Sequence, residues 1–161
     1  MQVRDATIDD VAPIVAMLAD DELGRHREDP ANVEAYRLAF DAIRDDPNQL
    51  LAVLDDGGQV VGTLQLSVIP NLTFQGGWRG QVEGVRIASS RRGEGLGRVL
   101  LDWAVETARA RGCRMVQLTT NRDRPAAHRF YEDLGFVASH VGMKLDLDQG
   151  PGDTEGLSRE V

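Results

Sequence analysis

The segment Arg92-Gly93-Glu94-Gly95-Leu96-Gly97 lies between an apolar, β-favouring stretch that ends near Ala88 and an amphipathic run that begins at Leu96. A glycine-rich turn between a strand and a helix exposes several backbone N–H groups at once, and the helix adds the positive end of its dipole. The glycines open backbone angles closed to residues with a Cβ and let a ligand touch the main chain itself. Arg91 and Arg92 stand at the entrance. The segment therefore reads as a phosphate cradle, against the plainer alternative of a tight strand-to-helix connection whose glycines serve only the turn.

Two familiar phosphate loops do not fit. A nucleotide-hydrolysing P-loop needs Gly-Lys followed by Ser or Thr, whereas Gly97 precedes Arg98-Val99. A dinucleotide fingerprint starting at Gly93 would have Arg98 where its last glycine belongs, and lacks the acidic residue after the next strand, which ends in Thr119-Thr120-Asn121. What fits is Arg/Gln-x-x-Gly-x-Gly, read as Arg92, Gly95 and Gly97. It is followed by Ala127-His128-Arg129-Phe130-Tyr131-Glu132-Asp133-Leu134-Gly135-Phe136. The ordered pair resembles the acyl-CoA loop and the Ala-x-x-(Leu/Phe)-Tyr-Glu-x-Leu-Gly-Phe segment of the GCN5-related N-acetyltransferases (GNAT).

Periodicity along the chain agrees with an α/β (α+β) fold. Residues 2–7 read as a strand. Helices follow from Thr7 or Asp9 to Asp20, with Val11, Ile14, Val15 and Leu18 on one face, and from Pro30 to Asp45. Strands at Leu50–Leu54 and Val60–Ile69 flank Asp55-Asp56-Gly57-Gly58, where the aspartates read as turn formers rather than a catalytic pair. After a loop at 70–80 come a strand (Gln81–Ala88), the cradle, a helix closed by Gly112, a strand (Arg114–Thr120) and a helix from Pro125 to Gly135. Two last strands are expected at Val137–Ser139 and Val141–Leu147. The resemblance implies the GNAT acyl-CoA N-acyltransferase fold, a mixed central sheet of about six to seven strands flanked by about four helices. The length suits one domain, expected over residues 1–148, and the Gly- and charge-rich residues 149–161, with little to bury, are expected to form a flexible tail.

Composition narrows the function. Acidic residues outnumber basic ones by 26 to 18, a net charge of −8, which disfavours nucleic acid as a partner. Against that background Arg86, Arg91, Arg92 and Arg98 form a local excess suited to a ligand with several phosphates. Apolar runs are too short to span a membrane and the first residues lack a secretion signal, so a cytoplasmic protein is expected. The single Cys113 reads as packing, and His26, His128 and His140 have no zinc spacing, so no metal is expected.

The resemblance implies transfer of an acetyl group from acetyl-CoA to a primary amine of a small molecule or peptide, by direct attack in a ternary complex. It also admits a homodimer. The alternative is a CoA-binding regulatory module without turnover. Tyr131 takes the family position that protonates the departing sulfur, and Glu83 is the candidate base, expected to share a strand face with Val85 and Ile87 and to be partly desolvated. Val85, Arg86 and Ile87 run along the pantetheine strand, and Arg91, Arg92, Gly93, Glu94, Gly95, Leu96, Gly97 and Arg98 form the pyrophosphate loop. Asn121, Ala127 and Phe130 lie nearby, Asn121 at a longer spacing from Tyr131 than in the family. Tyr36, Phe74 and Trp78 are candidate acceptor walls, and His128 is an exposed helix residue or a proton relay.

Overall fold

A computed structural model of the chain describes residues 1–20, 27–145 and 147. In chain order the elements are β1 (Gln2–Asp5), α1 (Val11–Ala19), α2 (Val33–Asp45), β2 (Gln49–Asp56), β3 (Gln59–Ile69), the single turn α3 (Thr73–Gly76), β4 (Trp78–Ile87), α4 (Leu96–Ala110), β5 (Cys113–Leu118) and α5 (Pro125–Asp133). They build a five-stranded sheet in the order β1-β2-β3-β4-β5. Every pair is antiparallel except β4–β5, which is parallel and needs α4 as its crossover.

The β2–β3 turn is made by Gly57 and Gly58, both at positive φ (66° and 94°). The twist of that turn suits paired strands. Asp55 locks it by accepting the Gly58 N–H at 2.7 Å while its other oxygen accepts from Arg4 at 2.8 Å. Both aspartates are structural, as expected, since Asp56 accepts from Arg91 at 3.0 Å.

One face of the sheet packs on α4. Leu96, Leu100, Leu101, Ala104 and Ala108 bury the inner side of that helix against Ala52, Leu54, Val61, Leu64, Leu66 and Val82. Each large side chain buried there contributes about 1.5–3 kcal/mol. The two alanines let the helix lie close: a Cβ on Gly80 of β4 would stand 3.1 Å from the Ala108 Cβ. The opposite face is partly covered by α1 and α2, through the buried Ile14, Val15, Met17 and Phe40.

Three expectations are corrected. Helix α2 starts at Val33 rather than Pro30, because Asp29 folds residues 29–32 into a turn, accepting the Ala31 N–H at 3.0 Å on its side chain and the Asn32 N–H at 2.9 Å on its carbonyl. β4 begins at Trp78, three residues ahead of Gln81. The last two strands are not seen among the described residues: none from 136 to 145 is in a strand, and the described sheet has five strands instead of six to seven. Alternation specifies a strand only where a neighbour supplies the ladder, and residues 136–145 form no ladder with any strand among the described residues. The expected tail at 149–161 and His26 lie outside the described residues. Among the described residues no helix is long and apolar enough to cross a membrane.

Candidate active site

β4 organises the site through an irregularity. Gln65 of β3 pairs with Glu83, but Thr63 pairs with Arg86, so a single β3 residue, Leu64, faces both Gly84 and Val85. This is a β-bulge, and Gly84 takes the positive φ (62°) it needs. The extra residue reverses the facing of everything beyond it. Gly80 and Val82 point to α4, and Glu83 points the other way with Gln65; past the bulge, Val85 and Ile87 turn back onto the α4 core. The expected common face for Glu83, Val85 and Ile87 is therefore wrong, because simple alternation does not survive the inserted residue. Glu83 is also exposed rather than partly desolvated.

Around Glu83 the open face carries an amide row that sequence reading missed. Gln117 donates to Gln81 at 2.8 Å, and Gln65 and Ser67 donate to Gln49 at 2.9 and 2.6 Å. The available signal was a polar residue at every second position, Gln65-Ser67 and Gln81-Glu83, inside β-favouring stretches.

At the far end of β4 the chain makes a 3₁₀ turn (Ser89–Arg91) and enters the glycine loop. Gly93 and Gly95 are left-handed (φ 85° and 77°), and no atom lies within 4 Å of where a Cβ would be on either. Among the described residues the N–H groups of Gly93, Glu94, Gly95 and Leu96 have no protein acceptor. Four donors without an acceptor among the described residues, at the start of α4, are an arrangement able to hold an anion. Gly97 has a different reason to be glycine: its Cβ would stand 3.2 Å from Cζ of Phe130 in α5.

The arginines divide by role. Arg91 donates to both Glu94 oxygens at 2.9 Å and to Asp56 at 3.0 Å, tying the loop to the β2–β3 hairpin. These partners raise its pKa further. Its charge and that of Glu94 are thus spent on shaping the loop. Arg92 donates to the Ile87 carbonyl at 3.4 Å and lies 3.8 Å from Asp20 at the end of α1; Arg98 lies 3.8 Å from Asp102. Both are more than half exposed and face solvent beside the cradle. Arg86 follows the bulge and donates to the Val85 carbonyl at 2.8 Å.

Helix α5 brings Tyr131 to this end of the molecule. Pro125 opens it, and Gly135 (φ 89°) closes it so that the Phe136 N–H reaches the Tyr131 carbonyl at 3.0 Å. The Tyr131 ring is wedged between Phe130 (5.2 Å between centroids) and Phe136 (5.9 Å). Burial raises the pKa of its hydroxyl, and the charges of Arg124 and Arg86 oppose that shift. The hydroxyl has no hydrogen-bond partner among the described residues.

The β5–α5 connection is held by its own bonds. The Asn121 side chain accepts the Asp123 N–H at 2.9 Å, and its carbonyl accepts from His128 Nε2–H at 2.8 Å. His128 is half-buried, and this bond is structural. Ala127, also half-buried, donates its N–H to the Arg124 carbonyl at 2.9 Å.

The proposed acceptor walls are not brought together. Phe74 and Trp78 lie at the start of β4, about 30 Å along the strand from Ile87. Tyr36 accepts the Asp29 N–H and donates to Glu28, organising the approach to α2. Cys113 is half-buried and its thiol pKa is raised by burial, the opposite of a reactive thiolate. Among the described residues no group of three or more His, Cys, Asp or Glu side chains could hold a metal ion.

A bulged β4, an anion cradle and a tyrosine helix in this order are accompanied by a direct match: the profile of the acetyltransferase (GNAT) family covers residues 15–136. The chain belongs to this family. The GNAT chain is 33% identical over 139 residues to the aminoalkylphosphonate N-acetyltransferase of Salmonella typhimurium, covering 86% of each. It is 30% identical over 152 residues to an L-methionine sulfoximine/L-methionine sulfone acetyltransferase of Pseudomonas paraeruginosa, covering 89% of this chain and 86% of that one. Among solved structures it superposes on a transcriptional regulator from Bacillus halodurans C-125 with a TM-score of 0.87 and 48% identity, over 90% of this chain and 98% of that chain. The fold is the GNAT fold and the activity class is acyl-CoA-dependent acetyltransferase.

Proposed function

We propose that this GNAT acetyltransferase moves an acetyl group from acetyl-CoA to the primary amine of a small polar molecule, by direct attack in a ternary complex. The observation that carries the reading is the Tyr131 hydroxyl: half-buried, without a hydrogen-bond partner among the described residues, and next in sequence to Phe130, whose ring lies against Gly97 of the cradle. The free N–H groups of Gly93 to Leu96, with Arg92 and Arg98 beside them, hold the pyrophosphate. Val85 and Ile87 support the pantetheine strand. Asn121, Ala127 and Phe130 shape the same end from the α5 side.

Glu83 takes the proton of the ammonium group. The amine nitrogen then bonds to the acetyl carbon, the C–S bond breaks as Tyr131 gives its proton to the departing thiolate, and the second proton of the nitrogen passes through solvent to the tyrosinate, leaving a neutral amide, free CoA thiol and a restored Tyr131. The bulge at Gly84 leaves a main-chain N–H outside the ladder, a donor for the oxygen that gains charge in the transition state. The amide row of Gln65, Gln81 and Gln117 suits a polar acceptor. Two relatives act on small amines of that kind, aminoalkylphosphonate in one and L-methionine sulfoximine or sulfone in the other.

The test is release of free CoA from acetyl-CoA, followed with a thiol-reactive dye, against 2-aminoethylphosphonate, L-methionine sulfone, D-glucosamine 6-phosphate and spermidine. Turnover is expected with at least one of the first three. Tyr131→Phe is expected to lower kcat about 100-fold with the KM for acetyl-CoA within about twofold. Binding of acetyl-CoA without thiol release on any amine supports a regulatory module instead, and an undiminished kcat in the variant removes Tyr131 from the mechanism.

A further inference from the structure

With 26 acidic residues against 18 basic ones, an arginine of this chain is expected to find a carboxylate, and Arg4, Arg44, Arg91, Arg92, Arg98 and Arg109 each do. Arg79 near the start of β4 and Arg114 near the start of β5 do not: neither has an ion pair among the described residues. Instead both guanidinium groups meet one ring, that of Phe74, with their central carbons 5.7 and 5.3 Å from its centroid. Two like charges are thus gathered on a single aromatic side chain, which offsets only a small part of their repulsion.

The arrangement is held at a cost. Inside α3, Phe74 and Gln75 are left-handed, at φ 54° and 61°, a conformation that residues with a Cβ resist. The Nε of Arg79 is buried without a hydrogen-bond acceptor. The cluster is nonetheless knit together. Arg79 donates from Nη2 to Thr73 Oγ1 at 3.2 Å, that hydroxyl donates to Asn71 Oδ1 at 2.7 Å, and the Arg114 stem passes so close to Gly77 that a Cβ there would stand 3.0 Å from its Cδ. Phe74 is 52% exposed and Arg114 is exposed, so the charged side opens to water. Strain, an orphaned buried donor and uncompensated charge on one loop mark a binding site rather than a connection built for stability.

We propose that Arg79 and Arg114 form a second anion site, which takes the carboxylate or phosphate group of a small molecule. A planar guanidinium presents paired N–H donors that match two oxygens of such a group, and the Phe74 ring seats both arginines without an oxygen of its own to compete. The site is remote from the glycine loop, since Arg79 and Ile87 lie about 26 Å apart along β4. Gly80 and Val82 point to α4, so Arg79 shares the open face with Gln81 and Glu83 and lies about 13 Å along the strand from Glu83. The same chemistry has two sources: the far acid of an extended acceptor whose amine lies at Glu83, which rests on the acetyl-transfer reading, or a separate anionic effector, which does not.

Calorimetric titration of the full chain saturated with CoA, which occupies the glycine loop, is expected to show a saturable site for inorganic phosphate and for glutarate at low salt. Arg114→Gln is expected to weaken that affinity about tenfold or more. Phe74→Ala, which leaves the net charge unchanged, is expected to weaken it about threefold or more, with the far-UV circular dichroism retained in both variants. Absence of saturable binding, or an affinity undiminished in either variant, overturns the proposal. Kinetics at saturating acetyl-CoA on any accepted amine then separate the sources. Phosphate that competes with the amine, an effect lost in Arg114→Gln, identifies the far acid of the acceptor, whereas phosphate that changes kcat at saturating amine identifies an effector. If no amine releases CoA, the acetyl-transfer reading fails while the calorimetry still decides the site.

Discussion

In the proposed mechanism Tyr131 protonates a thiolate; a tyrosine holds its proton at neutral pH in any case, and burial between Phe130 and Phe136 raises its pKa further, against the pull of Arg124 and Arg86. Because its pKa is raised, loss of the proton sets in above the ordinary tyrosine value. The alkaline limb of kcat is therefore expected above about pH 10, where a rate profile on any accepted amine can find it. Gly97 shows a second constraint at this scale. Gly97→Val would overpack against Phe130, costing about 1–3 kcal/mol, or about 3–10 °C in Tm. Phe130→Leu in the same chain is expected to restore much of the loss, which calorimetry of the single and double variants will read. Asp10 is buried and accepts from Arg4 at 2.7 Å and from the Thr7 N–H at 2.7 Å, which together hold its carboxyl down at about 2. A depressed carboxylate stabilises the fold above its unfolded value near 3.8 and loses that contribution as pH falls from 4 to 2. Asp10→Asn is expected to cost on the order of 1–2 kcal/mol in urea denaturation at pH 6 and much less at pH 2.

At the scale of elements, β4 does most to place the chemistry. Its bulge sends Glu83 to the open face and Val85 and Ile87 to the core, a division that an unbroken strand could not make. Gly84→Val puts a β-branched residue at φ 62°. It is expected to lower kcat at least about tenfold, through loss of bulge geometry and of the donor it frees, while α-helical circular dichroism is unchanged. The bulge was only half legible beforehand: Gly84 inside a β-favouring run was the signal, but the residue count on the opposite strand is invisible until the strands pair. The cradle was legible because its reasons are local, namely glycines at positive φ and a following helix. The division of labour among its arginines was not, since Arg91 is claimed by Asp56, 35 positions away.

For the whole molecule, a ligand that binds only the folded state raises its stability by mass action. Acetyl-CoA at 100 times its Kd should add about 2.7 kcal/mol, or about 5–10 °C in Tm. That rise should shrink sharply in Gly95→Val, whose substitution site is open in space but left-handed in φ (77°). By itself the sequence determined the family, the order of helices and strands through α5, the loop at 92–97 and the place of Tyr131 on its helix. These rest on short-range rules: periodicity, caps, turn residues and motif spacing. Tertiary structure alone decided which way Glu83 faces, why Gly97 must be small, that Phe74 and Trp78 stand at the far end of β4, and that the alternating residues 137–145 form no ladder among the described residues. Each of these depends on a contact between residues distant in sequence, and a pattern of side chains can announce a strand without saying which edge will receive it.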